Sequence, residues 1–387
     1  MEEWKEYKLE ETTDFIAGYA FKSKDFGSYE NKVVKIKDIQ PPFVSIASID
    51  GVNIHEYDIS KLAKYLVYKN DFLLAMTGAT IGKIGRYIYD KPVYLNQRVL
   101  KFMPKVGFDS DFIYYSLISD SFQKFIINHI DSDSAQPNIS ANTIGKYRLY
   151  IPDITIQKKI SHVLKVLDSK IELNRRINDN LEQQAQALFK SWFVDFEPFK
   201  NGKFVESEMG MIPEGWKVGK FSELVEIKYG KDHKSLAPGH IPVYGSGGFM
   251  RFAEKSIYNK ESVLIPRKGS LNNILYVNHP FWTVDTMFYT IMKEDGLAKF
   301  VYLFIKPFDL LSMNSGSAVP SMTADILNNI KLVIPPKSVF IEFENLIKPL
   351  FIKQGQIKGE IDKISLLRDT MLPRLMSGEL KINDLNC

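Results

Sequence analysis

A single cysteine, Cys387, excludes an internal disulfide framework and a cysteine-built zinc site. Histidine is scarce too. The six residues, His55, His129, His162, His233, His240 and His279, show no metal-ligand spacing and no accompanying carboxylate cluster, so no metal site is expected. No apolar run approaches the ~18 residues of a membrane-spanning helix. The opening MEEWKEYKLEE has no apolar stretch of a secretory leader, and a cytoplasmic protein with no membrane association is expected. An excess of one charge is also missing. Fifty basic residues against 46 acidic ones leave a net charge of +4, too even to announce a nucleic-acid partner by charge alone. What is present is an ordinary globular balance, 45% hydrophobic and 25% charged, over 387 residues, enough for two or three domains.

One stretch stands out by its period. From Ile156 to Phe193, Ile160, Leu167, Leu181 and Leu188 recur at seven-residue intervals. Four residues on, Leu164, Ile171, Ala185 and Trp192 form a second column. Columns four apart share one face of a helix. The spacing predicts a helix of about 36 residues, roughly 54 Å long, with a narrow coiled-coil seam that needs a partner. Asn174 and Asn178 interrupt the columns, and either fix the register of the seam or sit near water at a splayed end.

The chain supplies the partner by repeating itself. AQPNISANTIGKYRLYIP (135–152) and AVPSMTADILNNIKLVIP (318–335) align without gaps at an offset of 183, with six of eighteen positions identical. The same offset carries the first column onto Phe343, Leu350, Ile357, Ile364 and Met371, predicting a second long helix over 338–376. Pro349 removes a backbone donor there and should kink it. Gly355 and Gly359 lower its propensity by about 1 kcal/mol each. EEWKEYKLEE (2–11) resembles EGWKVGKFSE (214–223), so the chain starts anew as well. The reading is a tandem duplication of α+β class: a mixed α/β half over 1–154, a central long helix over 155–200, a second mixed half over 201–336, and a distal long helix with a C-terminal segment over 337–387. The two helices are expected to pair antiparallel and to separate the halves with pseudo-two-fold symmetry. In the first half, 33–39, 43–49 and 99–103 read as strands and 111–130 as a helix, with Ser140 capping a short helix. In the second, 241–249, 263–270 and 283–292 read as strand-like runs and 297–305 as a helix.

Catalytic motifs fail on inspection. Gly78–Lys83 is too short between its glycines for a phosphate loop, and Ile84 stands where a hydroxyl is needed. Gln40-Pro41-Pro42-Phe43 lacks the Asn or Asp that opens an amino-methyltransferase motif. No nucleophile has a base beside it in the sequence. The turns instead carry polar and basic groups suited to phosphates and base edges. In the first half these are Ser23, Lys24, Thr77, Thr80, Lys83, Arg86, Asn96, Gln97, Arg98, Gln136 and Asn138. In the second they are Tyr229, Lys231, His233, Lys234, Tyr244, Ser246, Arg267, Lys268, Ser270, Asn272, Asn273, Asn314 and Ser317. Their recurrence on corresponding loops points to a two-part DNA reader rather than an enzyme. The alternative is a helical scaffold that joins two partner proteins without reading DNA.

The pieces GMIPEGWK (210–217), YGKDHKSLAPGHIPVYGSGG (229–248), AQALFKSWFVDFEPF (185–199) and LRDTMLPRLMSGEL (367–380) resemble the specificity subunits of type I restriction–modification systems, and the resemblance covers essentially the whole chain. It implies that the two halves are target recognition domains, each reading half of a split, asymmetric site in double-stranded DNA. It implies that the helices set the spacer and seat two methyltransferase (M) subunits, with restriction (R) subunits joining. It also implies that S-adenosylmethionine, ATP and Mg act on those partners and that this chain binds no cofactor.

Overall fold

The computed structural model describes residues 4–47, 49–130, 137–313 and 321–382. The class is α+β, with two mixed tandem domains. The chain divides into two units, residues 1–173 with 360–387, and residues 174–359.

In the first unit a sheet runs in the order Thr13–Ala17, Val99–Pro104, Phe72–Ala75, Ile84–Arg86, with Phe43–Val44 and Ile39–Gln40 at its far edge. In the second unit the order is Val225–Tyr229, Met287–Met292, Ser262–Pro266, Leu275–Val277. These are the same four strands in the same neighbour order. A smaller sheet repeats as well. Phe26–Val34 pairs parallel with Val93–Leu95 and antiparallel with Asp50–Val52. Ile241–Gly245 pairs parallel with Trp282–Thr283 and antiparallel with Gly248–Ala253. A two-stranded ribbon closes each unit, Lys5 opposite Ile151 in one and Lys217 opposite Ile334 in the other. Even the turn after the ribbon recurs: Lys8 N–H donates to Glu11 Oε2 (2.5 Å), and Lys220 N–H to Glu223 Oε1 (2.9 Å).

Close approach of backbones explains one recurring glycine. A Cβ on Gly18 would lie 2.3 Å from the Asn96 carbonyl oxygen, and one on Gly230 would lie 2.0 Å from that of Val284. No side chain fits there, so both repeats keep glycine where the first strand of the main sheet crosses to the smaller one.

The central helix spans Ile154–Phe193 and the distal helix Lys337–Met376. Asp153 caps the first, its Oδ1 accepting from Thr155 N–H (2.8 Å) and Ile156 N–H (3.2 Å). The left-handed backbone of Phe196 (φ 54°) follows its end, and Gly378 (φ 75°) follows the end of the other. Within the first unit Ile160 and Leu164 share a core with Leu372 and Leu375, and Lys170 pairs with Glu360 (3.3 Å). Within the second, Ala185, Phe189 and Phe193 share a core with Phe343, Ile347 and Phe351. Start packs on end and end on start, so the helices are antiparallel. Each fully buried Leu or Phe here contributes roughly 1.5–3 kcal/mol. Ile160, Leu164, Ile171, Phe343 and Ile357 are buried, and Leu167, Leu181, Leu188, Leu350, Ile364 and Met371 are half-buried.

The distal helix runs through Pro349, with Ile347 and Phe351 buried on either side of it. Several expectations change. The 111–130 stretch is two helices, Ser110–Leu117 and Asp120–Asn128, because Ser119 stops one and caps the other. In 43–49 only Phe43–Val44 is strand, since Ser45 Oγ takes the Ala47 N–H and draws the backbone into a turn. The 33–39 run leaves its strand at Val34, turns through Ile36–Asp38 and begins another at Ile39. The 241–249 run folds into a hairpin, and 283–292 is split between the two sheets. Asn174 is buried. Asn178 faces Gln354, whose Nε2 donates to the Asn178 carbonyl (3.3 Å) and to Glu182 Oε2 (3.2 Å). The first of these bonds is to the main chain, and the Asn178 Oδ1 and Asn174 Nδ2 atoms are buried without a hydrogen-bond partner among the described residues. No helix among the described residues is long and apolar enough to cross a membrane.

Candidate nucleic-acid interface

In both units the strand that forms the centre of the main sheet runs out into a turn held in the same way. Met76 N–H donates to the Arg98 carbonyl (3.0 Å), and Ile139 N–H donates to the Met76 carbonyl (3.0 Å). Arg267 N–H donates to the Thr286 carbonyl (2.8 Å), and Met322 N–H donates to the Arg267 carbonyl (2.8 Å). Lone bridges beside these bonds join Thr77 to Asn138 and Lys268 to Ser321. The backbone is repeated, but the side chains on it are not. Where the first unit has Met76 and Arg98, the second has Arg267 and Thr286.

In the first unit this turn gathers Thr77, Thr80, Lys83, Arg98 and Asn138. Lys83, Arg98 and Asn138 are exposed. The hydroxyls of Thr77 and Thr80 are turned inward, buried and unpartnered, so these two residues offer backbone rather than hydroxyl to a ligand. Gln97 is exposed and its N–H donates to the Tyr19 carbonyl (3.0 Å), while Asn96 is buried. Ser23 and Lys24 lie on a separate turn, Ser23–Asp25, where Lys24 approaches Glu56 (3.8 Å). Arg86 serves the fold instead. Its Nη1 donates to Asp111 Oδ1 (2.5 Å), its guanidinium lies 4.2 Å from the centre of the Tyr114 ring, and its side chain is only 12% exposed. Lys165 of the central helix meets the same carboxylate (2.7 Å). Burial alone would raise the Asp111 carboxyl, but Lys165 and Arg86 outweigh it and hold it below the ordinary carboxylate value.

In the second unit the loops enclose a cleft of about 710 Å³ lined by residues 232–234, 245–250 and 284–286. His233, Lys234 and Ser246 are on its wall. Asn273 Nδ2 donates to the Ser246 carbonyl (2.9 Å), and Ser270 accepts the Asn273 N–H (3.1 Å), so both residues brace the rim. Arg267 lies 5.3 Å over the half-exposed Tyr229 ring and donates through Nη1 to the Asp285 carbonyl (3.2 Å). Lys268 is exposed beside it, and Lys231 is exposed with its N–H on the Thr283 carbonyl (2.9 Å). Two expected contacts turn away. Tyr244 is buried, its hydroxyl 3.4 Å from His279 Nε2, because an inward position on a strand belongs to the core. Asn272 Nδ2 is directed to Asp309 (3.4 Å). Gln136, Asn314 and Ser317 lie outside the described residues. The sequence reading passed over Asp232, Asp285, Thr286, Phe249 and Met250, all of which line the cleft. Acidic and apolar residues carry no phosphate signal, which is why a search for basic turns misses them. Among the described residues no group of three or more His, Cys, Asp or Glu could hold a metal ion.

The family model described as the type I restriction modification DNA specificity domain matches residues 1–183 and 213–345. The chain belongs to this family. It is a specificity subunit of the type I restriction–modification kind, a non-catalytic component. It is similar to the type I restriction enzyme MjaIX specificity subunit of Methanocaldococcus jannaschii, 26% identical over 362 residues, spanning 86% of this chain and 83% of the relative. It is likewise similar to the HindI specificity subunit of Haemophilus influenzae, 24% identical over 98% of this chain and 100% of the relative. The fold is that of the type I restriction-modification system S subunit from M. genitalium, with a TM-score of 0.56 at 18% identity and 96% of each chain covered. The two matched segments of the specificity subunit fall on its two repeats.

Proposed function

We propose that this specificity subunit reads a bipartite, asymmetric site in double-stranded DNA, each globular half contacting one half-site. The observation that carries the proposal is the repeated turn with unlike side chains. One backbone scaffold presents Arg98 and Asn138 in the first unit and Arg267 and Lys268 in the second. Equivalent scaffolds dock on DNA in equivalent ways, while different side chains select different bases. The paired helices set the number of base pairs between half-sites and seat the methyltransferase subunits, and restriction subunits join that assembly. S-adenosylmethionine, ATP and Mg belong to those partners. Deleting one heptad from each helix keeps both half-sites and changes their spacing, read by mapping methylated sites; an unaltered spacer refutes the ruler role. Arg267→Ala in the reconstituted complex weakens binding by about 1–3 kcal/mol and relaxes one position of one half-site. A uniform loss over all sequences with a shallower salt dependence makes Arg267 a phosphate contact instead.

A further inference from the structure

We propose that the cleft of the second globular half holds the major-groove edge of an A·T pair, with His233 donating to adenine N7, Asp232 accepting from the N6 amino group, and the Phe249–Met250 wall receiving the thymine methyl. This deepens the DNA-reading proposal and rests on it.

Three observations converge. First, two carboxylates, Asp232 and Asp285, line the cleft. Against them stands Lys234, so the lining keeps an acidic excess that disfavours a phosphate, and a carboxylate only accepts hydrogen bonds. Among base edges in the major groove only the amino groups of adenine and cytosine answer that need. The Lys234 N–H donates to Asp232 Oδ1 (3.1 Å) and helps to orient that carboxylate.

Second, the tautomer of His233 is fixed. Arg251 Nε donates to His233 Nδ1 (3.0 Å). A guanidinium has no acceptor to offer, so Nδ1 must be the acceptor, and in the neutral ring the proton then sits on Nε2. Arg251 also donates to the carbonyls of His233 and Leu236, which secures the loop on which the ring stands. His233 lines the cleft next to Asp232, and its ring carries one donor, Nε2–H, away from the Arg251 contact. Adenine offers the complementary pair on one base, N7 as acceptor and N6 as donor. Guanine offers two acceptors and no donor at that edge.

Third, one part of the wall is apolar. Phe249 and Met250 are 55% and 50% exposed, and Val284 lies beside them in the cleft. A G·C pair could also set an acceptor beside a donor across its two bases, but it brings no methyl group to such a wall. An A·T pair does, through thymine C5.

The test uses the full chain reconstituted with its methyltransferase subunits and a duplex carrying its mapped site. Each adenine of the half-site read by residues 201–336 is replaced in turn by 7-deazaadenine, and each thymine by uracil. The expected result is one pair at which 7-deazaadenine lowers affinity roughly tenfold and uracil lowers it severalfold. His233→Ala should abolish the 7-deazaadenine effect at that pair alone. The inference is overturned if the complex binds its site but tolerates 7-deazaadenine at every position, or if His233→Ala discriminates as the parent does. A complex that fails to prefer its site at all overturns the DNA-reading proposal itself, and this inference with it.

Discussion

Arg86, Asp111 and Lys165 join the first globular half to the central helix through one shared carboxylate, with Asp111 18% exposed. Asp111→Asn should cost about 3 kcal/mol at neutral pH, because it leaves the largely buried Arg86 guanidinium without its counterion. The sign with pH follows from the lowered carboxyl. Its stabilisation is present in full above the unfolded value of 3.8 and is lost as pH falls through the lower folded value. Urea denaturation across pH 3–7 should therefore show the parent losing stability in acid and the variant losing less. Equal acid sensitivity would contradict that role. At this scale the sequence was a partial guide. It marked Arg86 and Tyr244 as polar groups on turns, which is correct composition. It could not show that Arg86 reaches a carboxylate 25 residues away, or that Tyr244 occupies an inward strand position. Which way a side chain points depends on partners distant in sequence.

At the scale of elements, periodicity told most where the pattern was long. Both long helices begin within two residues of their expected starts, because heptads report burial over many turns. Short runs were less legible. Ser45 and Ser119 redirect the backbone by local hydrogen bonds, and a run of apolar residues carries no record of that competition. Pro349 was expected to disturb its helix. The buried neighbours Ile347 and Phe351 and the long seam hold the segment in helix regardless. Nothing within 4 Å would meet a Cβ at Gly355 or Gly359. Gly355→Ala and Gly359→Ala should each raise stability by about 1 kcal/mol, seen as a higher urea midpoint of the isolated chain. The opposite holds at Gly230, where a Cβ would meet the Val284 carbonyl. Gly230→Ala should cost about 2–3 kcal/mol by the same measurement. A neutral result at Gly230 would mean that the crossing of the two sheets yields more than its repeat suggests.

For the whole molecule, the repeat was the most informative feature of the sequence. The 183-residue offset located the second long helix, and the structure extends the correspondence to sheet order, ribbon, turn and glycine. The cleft was not legible, since it is built by three loop segments distant from one another in sequence. The difference in side chains on the repeated turn underlies the proposed function: one scaffold, used twice, with two sets of side chains. The most direct measurement is methylation mapping of a host whose specificity subunit has residues 201–336 replaced by those of a relative with another target. One half-site should change while the other half-site stays as it was. A change in both half-sites, or in neither, would contradict the proposed function.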